Sequence, residues 1–576
     1  ERKFMRLEKL GALFLGLVTL LAGCAGGNSS ARGPQPPPLS DYQSASRAEL
    51  ATGGELRLSV AEFPENFNPL RKRSAEEIAD DKIDSFLSAA HNWIYAEDGE
   101  VRANPDYISS YAAPAPEQSG APFVVKLNLN PQAKWNSGTP ITAADYIASW
   151  KACSGQIAGI TCSAAAGWKQ ISEITAGENE FQVVISYKHN YADWPATFEK
   201  IAPAAGLSDA DTFSAAWKDL PNVASLQTGP FRLAQVDREK KTIELVRNEN
   251  WWGKAPVLEK VIFYELDEYD AAQAFAAGKL DALPMIKDLP SLEIVKSSPA
   301  AAVKISASRQ WRELLFNTKS PLLQNKDFRL ALQKGIDSKS FAASDLSGLP
   351  SADLDLHMGS HVLLPYQKGY TDNSLPVNGK LARKDLAELG YTWNEKTQYF
   401  EKDGEPLTLS YLRITGVPTS ENEGQKLQEQ LQQIGVALEM KDISAGEFQA
   451  ALAAGEYDIT SVTWLFTPYP LSGIGQLYAS NRAAAGDTAG AAANLNFTGY
   501  ANSALDTYIW KIARETDELK KLVYAEELDN LLWKEGISIP LYYRANITGV
   551  HNRLANYGAA ALETFLPENI GFLPEK

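Results

Sequence analysis

Leu407-Thr408-Leu409-Ser410-Tyr411-Leu412-Arg413 reads as a strand, and the segments after it set the architecture. Glu421 to Ile434 reads as a long helix stopped by Gly435. Val436 to Met440 is a second strand. Glu447 to Ala454 is a second helix, stopped by Gly455, and Tyr457 to Trp464 is a third strand. Strand side chains repeat with a period of two and helix side chains near 3.6, so the two patterns can be told apart. Glycine stops a helix because it accepts the left-handed conformation. The strand–helix–strand–helix order predicts an α/β fold with a largely parallel sheet covered by helices.

Outward from this stretch the signals are shorter. Lys326 to Ile336 and Leu381 to Leu389 read as helices, and Leu314 to Phe316 as a short strand. Leu56, Leu58 and Val60 alternate with polar residues, a strand signal that opens the ordered chain at Gly53-Gly54. Val124 to Leu129, Phe181 to Tyr187 and Val261 to Tyr264 are further strands. Phe231 to Val236 and Thr242 to Val246 flank a polar turn and predict a hairpin. Thr142 is a candidate cap for a helix through Trp150, and Asp270 to Gly278 reads as a helix.

The chain has 576 residues, 44% hydrophobic and 22% charged, which describes a folded protein too long for one core. A net charge of −16 argues against a nucleic-acid partner. With 3 Cys and 5 His there is little material for metal clusters or His-based acid–base chemistry.

The first residues point outside the cytoplasm. Arg2, Lys3, Arg6 and Lys9 precede a nearly apolar run from Leu10 to Leu21, the pattern of a signal peptide over residues 1–23. The run is too short to span a bilayer as a mature helix. Leu21-Ala22-Gly23-Cys24 resembles the lipobox of bacterial lipoproteins, which implies lipidation of Cys24 and anchoring to a membrane. Residues 24–53 are rich in Pro, Gly and Ser and read as a flexible tether. Cys153 and Cys162 then remain, and in an oxidising exterior they most simply form a disulfide; two free buried thiols are the alternative.

Catalytic signatures are absent: no nucleophile elbow, no His-Glu-x-x-His and no phosphate-cradling loop occurs. His357 and His361 are four apart, but Gly359 and Ser360 between them favour a loop over a metal-binding helix. Glu265, Asp267, Glu268 and Asp270 cluster where a polar loop enters a helix; a hydrolase using such carboxylates is the different-class alternative. Trp93, Trp135, Trp150, Trp251, Trp252, Trp311 and Trp464 stand out, and a few of them suit a recognition cleft.

An ordered set of segments over residues 53–545 resembles the extracytoplasmic solute-binding proteins of ABC importers, in the oligopeptide/dipeptide-binding family 5. They are Gly53-Gly54-Glu55-Leu56-Arg57 with Asn68-Pro69, and Lys134-Trp135-Asn136-Ser137-Gly138-Thr139-Pro140 running on to Asp145-Tyr146. Thr228-Gly229-Pro230-Phe231, Arg247-Asn248-Glu249-Asn250-Trp251-Trp252, Gly278-Lys279-Leu280-Asp281 and Phe316-Asn317-Thr318 come next in order. Gly499-Tyr500-Ala501-Asn502 and Ile539-Pro540-Leu541-Tyr542-Tyr543 close the set.

The resemblance implies a two-lobed, type II binding-protein fold with a hinge and an extra subdomain in the first lobe. Lobe I would be residues 54–309 and 538–576, and lobe II residues 310–537. It implies a binding protein and not an enzyme, without a cofactor, expected to be a monomer. Its partners would be a peptide ligand and the permease and ATPase subunits of an importer. Ligand-binding positions carried over are Glu62 and Phe63, Trp311 to Asn317, and the run Trp464, Leu465, Phe466, Thr467 and Tyr469; Arg413 is a candidate for a ligand carboxylate. One departure matters. Family members that grip a peptide amine carry Trp-x-x-Asp-Tyr-Pro-Asp-Pro, whereas here Trp464-Leu465-Phe466-Thr467-Pro468-Tyr469-Pro470-Leu471 has no acid. Glu62 is the candidate substitute. The same fold binding a nickel chelate, haem, an opine or a sugar is the alternative, and a signalling role would leave the same sequence.

Overall fold

The computed structural model describes residues 34–71, 82–87, 91–114, 122–163, 165–480 and 495–575. The signal segment with Cys24 and the Ala/Gly-rich stretch 483–493 lie outside the described residues.

The fold is α/β and two-lobed. In the first lobe a four-stranded sheet is ordered Glu55–Val60, Lys260–Glu265, Thr242–Arg247, Phe231–Asp237. The first pair is parallel and the others antiparallel, including the expected hairpin. Leu56, Leu58, Phe231 and Phe263 from these strands form its core. A second four-stranded sheet, ordered Ile108–Ala112, Val124–Leu129, Gln182–Tyr187, Ile171–Ala176, is inserted between the first two of those strands in the sequence and forms the extra subdomain. It has its own core around Trp135, Trp168 and Phe198. The Thr142 hydroxyl accepts from the Ala144 N–H at 3.3 Å and caps helix Ala143–Cys153. Cys153 and Cys162 form a disulfide that ties the end of this helix to the segment paired with Arg71.

The largest sheet has six strands, ordered Ala282–Leu283, Ser538–His551, Ala301–Phe316, Ile459–Leu465, Thr408–Ile414, Ala437–Ile443. Thr408–Ile414 runs parallel to both its neighbours, and helices Pro418–Gln433 and Ala445–Ala454 make the crossovers. The remaining pairs are antiparallel, so the expected parallel sheet is confined to this stretch. A parallel pair needs a crossover connection, and here two covering helices supply it.

Strand Ala301–Phe316 is sixteen residues long, where the sequence pattern marked three. Its first part is half-buried on both faces, and there Val303, Ile305 and Ala307 alternate with Lys304, Ser306 and Ser308, a strand pattern upstream of the expected segment. It pairs with Ser538–His551, and the ladder shifts register twice, between Ala307 and Trp311 and between Arg312 and Glu313. Ala307 faces Ala545 and Trp311 faces Tyr543, so Ser308, Arg309 and Gln310 stand opposite Arg544 alone. The two strands lie side by side along most of their length within the six-stranded sheet.

Residues 34–53, read as the end of a tether, pack on the body. Gln35 bridges Leu354, and its carbonyl accepts the Asp355 N–H at 2.9 Å. The Pro38 carbonyl accepts the Ala307 N–H at 2.7 Å. Ser40–Tyr42 pairs with Gly558–Ala560, and Asp41 takes Lys304 at 3.0 Å. Proline lacks the N–H but keeps its carbonyl, so a Pro-rich segment without a helix or strand signal can still dock through its acceptors.

Candidate functional site

Between the lobes lies a cavity of about 390 Å³. That is enough for a small ligand or a short peptide segment. Trp93, Tyr95, Tyr107 and Trp251 line it from the first lobe, and Leu346, Leu349, Leu465 and Pro468 from the facing side. Ser308 to Gln310 and Arg544 to Ile547 supply the wall where the long strands cross. Tyr557, Phe565 and Glu568 come from the C-terminal return.

The charged lining is mixed. Glu563 accepts the Ser40 and Tyr42 hydroxyls at 2.6 and 2.8 Å. Glu568 is 7% exposed. Burial pushes its carboxyl above the usual carboxylate range, and the negative charge of Asp106 adds to the effect. Burial raises Asp106 as well, against the pull of Lys254. The Tyr95 hydroxyl is held far above its ordinary value by burial, with the Glu199 carboxylate adding to it. Among the cations, Lys200 pairs with Asp84 at 3.3 Å, Lys287 with Glu268 at 3.7 Å and Arg544 with Asp345 at 2.9 Å.

The residues expected from the sequence fall into three places. Leu465 lines the cavity, and the Tyr469 ring meets the ring of lining Tyr95 edge-on at 6.1 Å. Thr467 is exposed between them, its hydroxyl accepting the Tyr469 N–H at 3.1 Å. Trp311 and Phe466 stack at 5.5 Å and are buried in the core. The Trp464 indole donates to Glu313 at 2.5 Å, and its ring stacks on Phe497. The Asn317 amide donates to the carbonyls of Gly455 and Tyr457 at 3.0 and 2.7 Å. Elsewhere, Arg413 makes a two-point pair with Asp442 at 2.6 and 2.9 Å on an exposed sheet edge. Phe63 is in the first-lobe core, its N–H donating to Glu265 at 3.1 Å, and Glu62 is exposed; neither lines the cavity.

The cavity-lining part of the long strand is therefore Ser308 to Gln310, just upstream of the expected Trp311 to Asn317. The register break that turns it inward leaves no mark in the sequence. Trp93 and Trp251, both singled out as aromatics, do line the wall. Glu568 and Asp106 carried no motif.

Beneath the wall, Arg312 and Glu423 form a buried ion pair at 2.5 Å. The Tyr542 hydroxyl donates to Glu423 at 3.0 Å, and Arg312 also reaches the Ser461 and Thr463 hydroxyls. The network joins both crossing strands to helix Pro418–Gln433. His361 is buried with Nδ1 2.9 Å from Asp529, and His357 lies 3.4 Å from Asp372. Among the described residues no group of three His, Cys, Asp or Glu side chains converges as a metal site. Asp267 caps helix Glu268–Ala276, and Glu265 and Glu268 pair with Lys241 and Lys287, so the acid cluster serves the helix start. No helix among the described residues is long and apolar enough to cross a membrane.

Residues 104–486 match the family described as bacterial extracellular solute-binding proteins, family 5 Middle. The chain is 31% identical over 543 residues to the oligopeptide-binding protein OppA of Mycobacterium tuberculosis (strain ATCC 25618 / H37Rv), covering 93% of this chain and 87% of that protein. Among solved structures, a periplasmic EDTA-binding protein, EppA, superposes with a TM-score of 0.80 at 18% identity, covering 92% of this chain and 98% of that one. The oligopeptide-binding protein AppA of Bacillus subtilis, in complex with a nonapeptide, gives 0.69 at 17% identity, covering 91% and 100%. By this family match and kinship the chain belongs to the bacterial extracellular solute-binding proteins of family 5, which makes it a binding protein and not an enzyme.

Proposed function

We propose that this chain captures peptides between its lobes and delivers them to the permease of an ABC importer, held at the outer face of the membrane by a lipid on Cys24. The observation that carries the reading is the aromatic-walled cavity at the seam where both lobes and both crossing strands meet. A ligand there touches both lobes, so its binding favours the closed arrangement by its differential contacts. We take lobe I as residues 54–309 with 538–576, and lobe II as 310–537. Leu465, Pro468 and Tyr469 are the ligand contacts we assign from the expected run, with Trp93, Tyr95 and Trp251 opposite. The kinship with the oligopeptide-binding OppA supports a peptide as the ligand class.

Native mass spectrometry of the secreted chain, purified without refolding, tests this. Adducts that dissociate into short peptides are the expected result. A single discrete adduct, such as a metal chelate or a porphyrin, would replace the peptide with that ligand.

A further inference from the structure

The cations on the cavity wall are not equivalent. Lys200, Lys287 and Arg544 have carboxylate partners, and Lys82 donates to the Ser59 carbonyl at 2.8 Å. Arg309 lines the same cavity, half-buried, and its guanidinium makes no ion pair or hydrogen bond among the described residues. Its backbone is fixed: the Arg309 carbonyl accepts the Phe466 N–H at 2.9 Å, and the neighbouring Gln310 faces Leu465 in the ladder. In a regular strand, successive side chains point to opposite faces. The break between Ala307 and Trp311 removes that constraint, and three consecutive residues, Ser308 to Gln310, reach the cavity. A guanidinium is a poor group to leave half-buried without an acceptor, and its fork matches a carboxylate at two points.

We propose that Arg309 is the receptor for a carboxylate of the bound ligand and sets a preference for acidic termini or side chains. This rests on the peptide reading above. Arg413, the cation expected from the sequence, already holds Asp442 and lies outside the cavity.

The test uses pentapeptide mixtures built from uncharged residues, with free or amidated carboxyl ends, and a third amidated mixture containing one Glu. Binding to the full mature chain is read by tryptophan fluorescence. The free-acid mixture should bind at least 10-fold tighter than the amide, and R309Q should remove that difference by bringing the free acid down to the affinity of the amide. Because Arg309 makes no ion pair or hydrogen bond among the described residues, R309Q should keep the wild-type melting temperature, and R309K should recover part of the preference. If only the free acid gains over the plain amide, Arg309 takes the terminus; if the Glu-containing amide gains as well, it also takes a side-chain carboxylate. Equal binding of all three mixtures by the wild type overturns the role of Arg309 and leaves the peptide reading standing. Binding of none of the mixtures overturns the peptide reading, and this inference with it.

Discussion

Arg312 and Glu423 are 6% and 1% exposed, so neither charge has water to fall back on. Removing one partner leaves the other buried and uncompensated, at a cost of about 3–5 kcal/mol. E423A should lower the unfolding free energy in urea by that amount, and the apolar pair R312M/E423L should recover much of the loss. A comparable loss in the double variant would mean that the hydroxyls around the pair, and not the charges, carry the network. Glu313 behaves differently. Burial holds its carboxyl above the ordinary range, opposed by the charge of His361 and by hydrogen bonds from its neighbours. The folded state therefore binds this proton more tightly than the unfolded chain does. That contribution is complete below the unfolded value of about 4.3 and is lost as pH rises through the higher folded value. E313Q should flatten the decline of the urea midpoint from about pH 4 upward; an unchanged slope would assign the decline to another group. Single residues were the least legible part of the site. Leu465 and Tyr469 belonged to a readable strand end, whereas Asp106 and Glu568 are drawn into the wall by segments far apart in the chain.

At the scale of elements, legibility followed local pattern. The strands and helices between 407 and 465 were readable because each has a burial period and most have a stop residue. Strand Ala301–Phe316 was legible only in pieces: Val303, Ile305 and Ala307 alternate with polar residues, but the break at Ser308 to Gln310 interrupts the pattern and is set by a partner more than 200 residues away. Proximity in space left no local signature. The disulfide of the inserted subdomain is an intermediate case: an oxidising exterior and two remaining cysteines suggested a pair, and the bond closes a short loop at the end of helix Ala143–Cys153. The chain-entropy account gives about 2–3 kcal/mol for such a loop. The C153A/C162A variant should melt earlier by a corresponding amount, read by calorimetry. Since neither cysteine lines the cavity, ligand affinity should be unchanged. A fall in affinity would mean that the subdomain's rigidity is transmitted to the wall.

The whole molecule is held together at one seam, where the broken two-strand ladder, the buried ion pair and the cavity coincide. The sequence announced two lobes and a return of the chain, through its ordered motifs. It did not announce that the segment before the first strand would cross that seam. Gln35 touches the chain at Leu354 and Asp355, Pro38 touches the long strand at Ala307, and Ser40–Tyr42 joins the C-terminal return. This segment acts as a clasp, and where a chain is cut becomes an experimental variable. A backbone hydrogen bond contributes about 0.5–1.5 kcal/mol, so a protein begun at Asp41 would lose enough to shift the balance between open and closed forms several-fold. Small-angle scattering of the ligand-free protein should show a larger radius for that shorter form than for one begun at Ala25. Equal radii would mean the clasp is ornament. Otherwise, affinities measured on trimmed protein would understate what the intact chain achieves, and a truncation chosen for convenience would have edited the apparatus being measured.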